Sequence, residues 1–276
     1  MASTDETAVA HAQAHANSWP VDLAVTLYVT VPLAALVALF YVLADYRKWL
    51  VFGQGTPPGT DNPYGYVVYQ LQRAFLIALR HDVRSVNLLR LCPNQDTFLS
   101  SKMKVVKRDG ERPVLVNWIL PQRIAPPYSH HPEVQKAIHG LLPSVVQEWQ
   151  GKTVNGFDNP VRVALSRLEG MDNAIGLRDD LAYICPDAKV TFNEVAHIHQ
   201  QDLSFHILLS PADAAIVIHN LWGERFAVSG RKMHVGRLKG RIVPMGYLLA
   251  YTPRTMAEVE IVKEFVRAAI RFGLSG

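Results

Sequence analysis

Apolar residues follow three different rhythms along this chain, and each predicts a different kind of element. From Leu23 to Ala44 there is no polar interruption of any weight: 22 residues pass without a charge, long enough for a helix to cross a bilayer. Pro32 lies inside that run, where membrane helices tolerate proline, usually as a kink. From Glu194 to Leu209 the rhythm is period 2. Glu194-Val195-Ala196-His197-Ile198-His199 alternates apolar residues with histidine, as a half-buried strand does. Phe205 to Leu209 is apolar apart from His206 and reads as a second strand. The four residues Gln200 to Leu203 between them predict a hairpin. Near the C-terminal end the rhythm becomes helical. Thr255-Met256-Ala257-Glu258 is a capping box, and Val262, Phe265, Val266, Ala269 and Ile270 form one apolar stripe behind it.

The remaining segments complete the outline. Tyr66 to Arg80 predicts a helix too short for a second span and interrupted by Arg73, resting on the membrane or on the domain. Val114 to Leu120 predicts a strand closed by Pro121, and Val161–Glu169, Ala174–Leu177 and Met245–Tyr251 predict three more. Pro132 to Gln150 reads as a helix with proline at its first turn, bent or split at Pro143. Ser210-Pro211-Ala212-Asp213 opens a helix that runs to about His219 and stops at Asn220. The expected fold is α+β, an antiparallel sheet with flanking helices, preceded by one N-terminal transmembrane helix. Its expected divisions are a disordered Ala/His/Ser-rich tail at 1–20, an anchor at 21–46, a Gly/Pro linker at 47–65 and the α+β domain at 66–276. His11 and His15 fall in the tail and read as solvated residues.

Charge orients this outline. The net charge is +4, but residues 1–45 contain Asp5, Glu6, Asp22 and Asp45 with no Lys or Arg, so the remainder carries the whole basic surplus. Arg47 and Lys48 follow the apolar run, and the positive-inside rule then predicts a single-pass membrane protein with its C-terminal domain in the cytosol. Two cysteines far apart, Cys92 and Cys185, and no Asn-x-Ser/Thr sequon agree with a reducing compartment. A basic surplus suits an acidic membrane surface, whereas no nucleic-acid recognition motif accompanies it. Lys102, Lys104, Lys107, Arg108 and Arg112 around the Asp109-Gly110 turn signal read as a solvated hairpin rim, ahead of a phospholipid-facing patch. Gly151-Lys152-Thr153 lacks the first glycine of a phosphate loop.

Register decides the chemistry of the hairpin. If residues 200–203 form the loop, Ser204 lies opposite His199 and His206 opposite His197, and three imidazoles share one face. A slip of one residue would send His206 to the other side. Three such imidazoles suit a first-row metal with an open position, or acid–base work near neutral pH, or merely a polar sheet face. Glu194 is placed to orient an imidazole or to close a strand-end salt bridge. Trp222 and Arg225, past the end of the 210–219 helix, read equally as an aromatic wall beside a cation that holds an enolate or peroxide, or as a core Trp and a helix-end Arg. Arg123 and Arg254 each neighbour a proline and are further anion-holder candidates, against the plainer reading of surface arginine.

Glu-Val-Ala-His-Ile-His at 194–199, the following Ser-x-His, Leu-Ser-Pro-x-Asp-Ala at 209–214 and Trp-Gly-Glu-Arg at 222–225 resemble the luciferase-domain family. The resemblance extends to Arg112-Pro113, Pro121-Gln122-Arg123 and Tyr251-Thr252-Pro253-Arg254, and so to most of residues 49–272. That family is named for the fungal luciferases, which oxidise a 3-hydroxypyrone, 3-hydroxyhispidin, with molecular oxygen and no known organic cofactor. One departure stands out: the family usually follows Trp-Gly-x-Arg with His-Pro, where this chain has Phe226-Ala227.

The resemblance implies a membrane-anchored oxygenase that needs O2 as co-substrate, no other cofactor, and a small aromatic or pyrone substrate. His197 or His199 would take the substrate's proton, with His206 and Glu194 beside them. Arg225 would hold the developing charge, and Trp222, Arg123 and Arg254 would bind substrate. Two rivals stand beside it. One is a metal-dependent enzyme with His197, His199 and His206 as ligands. The other is a non-catalytic lipid or small-ligand binding domain, which Phe226 keeps open.

Overall fold

The computed structural model describes residues 5–52, 62–80, 82–170, 173–181, 184–234 and 238–276, with side chains from Val25 onward. Residues 1–4 of the expected tail and 53–61 of the expected linker lie outside the described residues. The chain divides into two units, Met1–Lys48 and Trp49–Gly276.

The first unit is helical. Helix α1, Asp5–Phe52, takes in part of the expected tail as well as the apolar run, and its stretch Val25–Phe52 is long and apolar enough to cross a membrane. Its last residues belong to the second unit, where the Trp49 indole donates to the Leu120 carbonyl and lies edge-on to Tyr66.

The second unit is an antiparallel sheet with helices on its faces. Helix α2, Pro63–Ala78, begins earlier than expected because Asn62 accepts a hydrogen bond from Gly65 N and Pro63 takes the first turn. Its buried face carries Tyr66, Tyr69 and Leu76, while Tyr64, Val67, Leu71 and Phe75 form an exposed apolar stripe opposite. Helix α3 is Asn87–Arg90, and α4 is Pro132–Gln147. Pro143 neither splits nor ends α4, since it sits on the exposed face and the carbonyl it leaves unbonded belongs to exposed His139.

Strands β1 (Thr153–Val154) and β2 (Phe157–Asp158) form a small hairpin by themselves. The main sheet comprises β3 (Val161–Leu165), β4 (Asn173–Leu177), β5 (Glu194–Ile198), β6 (Phe205–Leu208), β7 (Gly223–Arg225) and β8 (Tyr247–Ala250), ordered β3-β4-β5-β6-β8-β7. Helix α5 (Pro186–Val190) precedes β5, and α6 (Pro211–His219) follows β6 with Ser210 as its cap and Asn220 as its stop, as the sequence predicts. Helix α7, Met256–Gly273, starts at Thr255, whose hydroxyl accepts from Glu258 N.

One face of the sheet packs on α7, whose Val262, Phe265, Val266, Ala269 and Ile270 are buried; a side chain at Gly273 would strike Leu177 and Val195. The other face carries the histidines. It is covered by residues 112–125, expected as a strand from Val114 to Leu120 but folded as an irregular hairpin. There Leu115 bridges Ile124, Val116 N donates to Arg123 O and Ala125 N to Val114 O. Those hydrogen bonds stay within the segment, so Val114–Leu120 never joins the main sheet.

Candidate functional site

The expected register holds. His197 faces His206, Ala196 faces Ile207, and His199 N donates to Ser204 O across the mouth of the hairpin. Leu203, at φ 57°, supplies the left-handed residue that closes the turn. The three rings therefore point to one face, with centroids 4.8 to 5.1 Å apart. All three are 1% exposed, so this is a buried cluster and not a half-exposed polar face.

A β-bulge adds Glu194. Ala174 pairs with His197 and Ile175 with Ala196, but Gly176 pairs with Glu194, leaving Val195 as the extra residue. Without the bulge, residues three apart on a strand point to opposite faces. With it, Glu194 shares the face of His197, and its Oε1 lies 2.6 Å from His197 Nδ1. The carboxylate is tied from behind by the Ser166 hydroxyl at 3.0 Å and Arg167 N at 2.6 Å.

The same turn, just after β3, delivers Glu169, whose amide donates to the Ser166 hydroxyl. Glu169 forms a two-pronged ion pair with Arg123, which arrives from the covering hairpin; both side chains are almost fully buried. Arg123 Nη1 also lies 2.7 Å from His199 Nε2. A guanidinium can only donate, so that nitrogen accepts, and the proton of His199 sits on Nδ1, 2.8 Å from the Ser204 hydroxyl. Ser204 in turn donates to Asp202. The Asp202 carboxylate also accepts from Ile124 N at 2.5 Å, fastening the hairpin beside the cluster. His206 Nδ1 donates to the Leu248 carbonyl at 3.3 Å, and its ring stacks on Tyr247 at 5.1 Å.

These partners give the imidazoles opposite characters. Burial lowers the pKa of His197, but the charges of Glu169 and Glu194 outweigh burial and raise it to about 10. Burial and then the Arg123 cation push His199 down to about 4, against the pull of Glu169 and Asp202. Burial and the neighbouring rings hold His206 well below the ordinary value. Burial disfavours the Glu169 carboxylate, yet Arg123, His197 and His199 hold it well below the usual range. At neutral pH His197 therefore carries a proton, while His199 and His206 are neutral.

Other residues singled out from sequence lie elsewhere. Arg225 projects away from the cluster; its Nη2 donates to Asp82 O at 2.8 Å, and Nε and Nη1 have no hydrogen-bond partner among the described residues. Trp222 packs edge-on to Phe265 of α7 and donates to Val106 O. Arg254 pairs with Glu258 at the start of α7, 43% exposed. Lys102, Lys104 and Lys107 are exposed as a rim should be, but Arg108 is buried and Arg112 turns inward onto Glu224. In the tetrad, Gly223 answers a steric need, since a Cβ there would overlap the Leu249 carbonyl oxygen across the β7–β8 pair.

Sequence reasoning missed Glu169, Asp202 and Tyr247. None shares a periodic pattern with the histidines, and only the bulge, the 166–169 turn and strand order bring them together. Phe226, the departure noted in sequence, lies edge-on to His206 at 5.4 Å and to Tyr247 at 5.6 Å, so the substituted position borders the cluster. Nearby, a cleft of about 600 Å³ is lined by Arg73, Ile77, Arg112, Trp118, Gln122 and Glu224 among others; Gln122 adjoins Arg123 in the chain.

No curated protein and no solved structure matches the chain. Residues 193–269, which hold β5 through most of α7 and all three clustered histidines, match the family model described as Luciferase domain, and the luciferase-domain resemblance stands on that stretch.

Proposed function

We propose that this protein is a membrane-anchored, luciferase-like oxygenase that oxidises an enolisable aromatic or pyrone substrate, of the 3-hydroxypyrone type, with O2. The observation that supports this reading is a buried cluster of two neutral imidazoles and one imidazolium, all within the stretch that matches the luciferase model, joined by the Arg123 guanidinium from outside it. Such a site can take a proton from an enol and hold the resulting anion. His206 is the proton acceptor, because Leu248 O fixes its proton on Nδ1 and leaves Nε2 with a lone pair. His197 carries a proton already and is reassigned from base to cation. It stands with Arg123, in place of Arg225, where negative charge develops on the enolate and then on the peroxide.

The substrate supplies the electrons that reduce oxygen, so no organic cofactor takes part. The nucleophilic carbon of the enolate bonds to O2, and the peroxide anion recovers a proton from His197. The cleft beside Gln122 and Glu224 has the volume of an ordinary small-molecule site. The apolar stretch of α1 before Trp49 supplies the anchor, with the Trp49–Gly276 unit in the cytosol, and the exposed apolar stripe of α2 suits contact with a bilayer surface.

Oxygen uptake with simultaneous photon counting, by detergent-purified protein given 3-hydroxypyrones including 3-hydroxyhispidin, tests the reading. Uptake with light makes the protein a luciferase; uptake in darkness makes it an oxygenase of related chemistry. His206→Ala and His197→Ala should each lower the uptake rate by at least 100-fold. No uptake, or full uptake in both variants, overturns the proposal, and tight pyrone binding without turnover favours a binding domain with Phe226 as part of its wall.

A further inference from the structure

The orientation of the three imidazoles asks for an explanation that proton transfer does not supply. A histidine used as a lone base needs one favourable neighbour. Here every ring is held at Nδ1: His197 by Glu194, His199 by Ser204 backed by Asp202, and His206 by the Leu248 carbonyl. His197 and His199 thereby turn Nε2 toward Glu169 Oε1, at 3.5 and 3.8 Å, and the Leu248 contact leaves Nε2 as the ligand atom of His206. The arrangement of carboxylate or carbonyl, imidazole and ligand atom is the one that metal-bound histidines show. His197 Nε2 is buried with no hydrogen-bond partner among the described residues, 3.5 Å from Glu169 Oε1. A buried nitrogen whose nearest acceptor stands only at ion-pair distance leaves room for a closer partner.

We infer that Glu169, His197, His199 and His206 form a binding site for one first-row divalent metal ion, with Glu194, Ser204–Asp202 and Leu248 O as its outer supports. One potential ligand atom from each of the four side chains lies within 4.8 Å of the others. Two donors on a common ion at about 2.0–2.2 Å each sit about 3.4 Å apart in a tetrahedral array and about 4.4 Å apart when trans, so the widest pair must close by between a few tenths of an ångström and about 1.4 Å. Three imidazoles with one carboxylate suit iron, zinc, cobalt or manganese over the hard alkaline-earth cations, and leave room for one or two further ligands.

Charge agrees. The pocket buries three carboxylates, Glu169, Glu194 and Asp202, against one permanent cation, Arg123. A divalent ion together with Arg123 cancels all three. Arg123 is then the metal's understudy: in the metal-free cluster its Nη1 meets His199 Nε2, and on metal binding it releases that nitrogen and keeps the far oxygen of Glu169.

The inference shares side chains with the proposed function: a bound ion would occupy Nε2 of His197 and His206, so the proton steps given to those rings belong to the metal-free chain, while the site itself does not depend on the substrate. The test uses the full chain in detergent, free of any polyhistidine tag, stripped with a chelator and titrated anaerobically with Co²⁺ while its visible d–d absorption is followed. One equivalent should bind per chain. His206→Ala and Glu169→Gln should weaken binding at least 100-fold, Glu194→Gln 10- to 100-fold through the outer support, and exposed His139→Ala not at all. Arg123→Met should bind at least as tightly as the natural chain. Should His206→Ala fail to fold, the isosteric Glu194→Gln carries the comparison. Absence of saturable binding in both the natural chain and Arg123→Met overturns the inference, as does binding undiminished in Glu169→Gln and Glu194→Gln. Oxygen uptake by fully metal-free protein removes the metal and spares the oxygenase; one bound metal without uptake removes the oxygenase and spares the site.

Discussion

Replacing Arg123 by Met, in the metal-free protein, removes the one permanent cation from the histidine cluster while preserving most of the side chain's volume. Glu169 is then left with its carboxylate buried, its side chain 7% exposed, in a pocket that also holds Glu194 and Asp202. Breaking a buried pair from one side costs about 3–5 kcal/mol, because the abandoned charge keeps its desolvation penalty and loses its partner. For a unit of this size, about 2–4 °C of melting temperature goes with each kcal/mol, so the transition should fall by about 6–20 °C. Tryptophan fluorescence during a thermal ramp in detergent reads it, since Trp49, Trp118 and Trp222 are buried. Glu169→Met added to Arg123→Met should recover most of the loss. The variant also carries a pH signature. Without Arg123 the Glu169 carboxyl loses the largest of the charges that hold its pKa down, so that pKa rises relative to the natural chain, and the deficit shrinks as pH falls and the carboxyl takes up its proton. A loss under about 1 kcal/mol, or a double variant no better than the single one, would refute the buried pair as the element that holds the cluster closed.

Three further outcomes follow from the same geometry. In metal-free protein, His197, raised to about 10, contributes stability that is complete below its unfolded pKa and lost as pH rises toward 10. His199, lowered to about 4, must stay neutral, so stability also falls as pH drops from about 6.5 toward 4; unfolding midpoints across pH should peak between these limbs, and His197→Gln should flatten the alkaline one. Gly223→Ala should cost about 2 kcal/mol or more in unfolding free energy, because its Cβ would meet the Leu249 carbonyl oxygen, and a neutral result would contradict the β7–β8 pairing. Arg254→Ala, by contrast, removes an exposed pair with Glu258 and should change stability by less than about 1 kcal/mol and leave oxygen uptake unaltered; a large loss in uptake would restore Arg254 to the substrate site.

Local sequence was enough wherever a property repeats along the chain or closes within a few residues. Alternation placed His197 and His199 on one side of a strand, and a four-residue loop with that alternation set His206 opposite His197, as β5 and β6 pair. Ser210, Thr255 and Pro132 announced helix starts because capping acts within one turn. The apolar run announced the long helix because membrane-spanning length is a count of residues.

Distance in sequence is where local reasoning stopped. Glu169 precedes His197 by 28 residues and Arg123 by contrast lies 76 before His199; only strand order and the covering hairpin bring them into hydrogen-bonding range. The bulge at Val195 turned Glu194 toward His197, a choice between two faces that alternation alone would have made the other way. Arg225 went to the opposite side because β7 pairs with β8 in a register that the tetrad itself does not encode. The protonation of each imidazole was decided last of all. Three chemically identical rings were legible as a group, but whether each holds a proton depends on which carboxylate or guanidinium stands beside it in a dry interior, and that is a property of the tertiary structure alone.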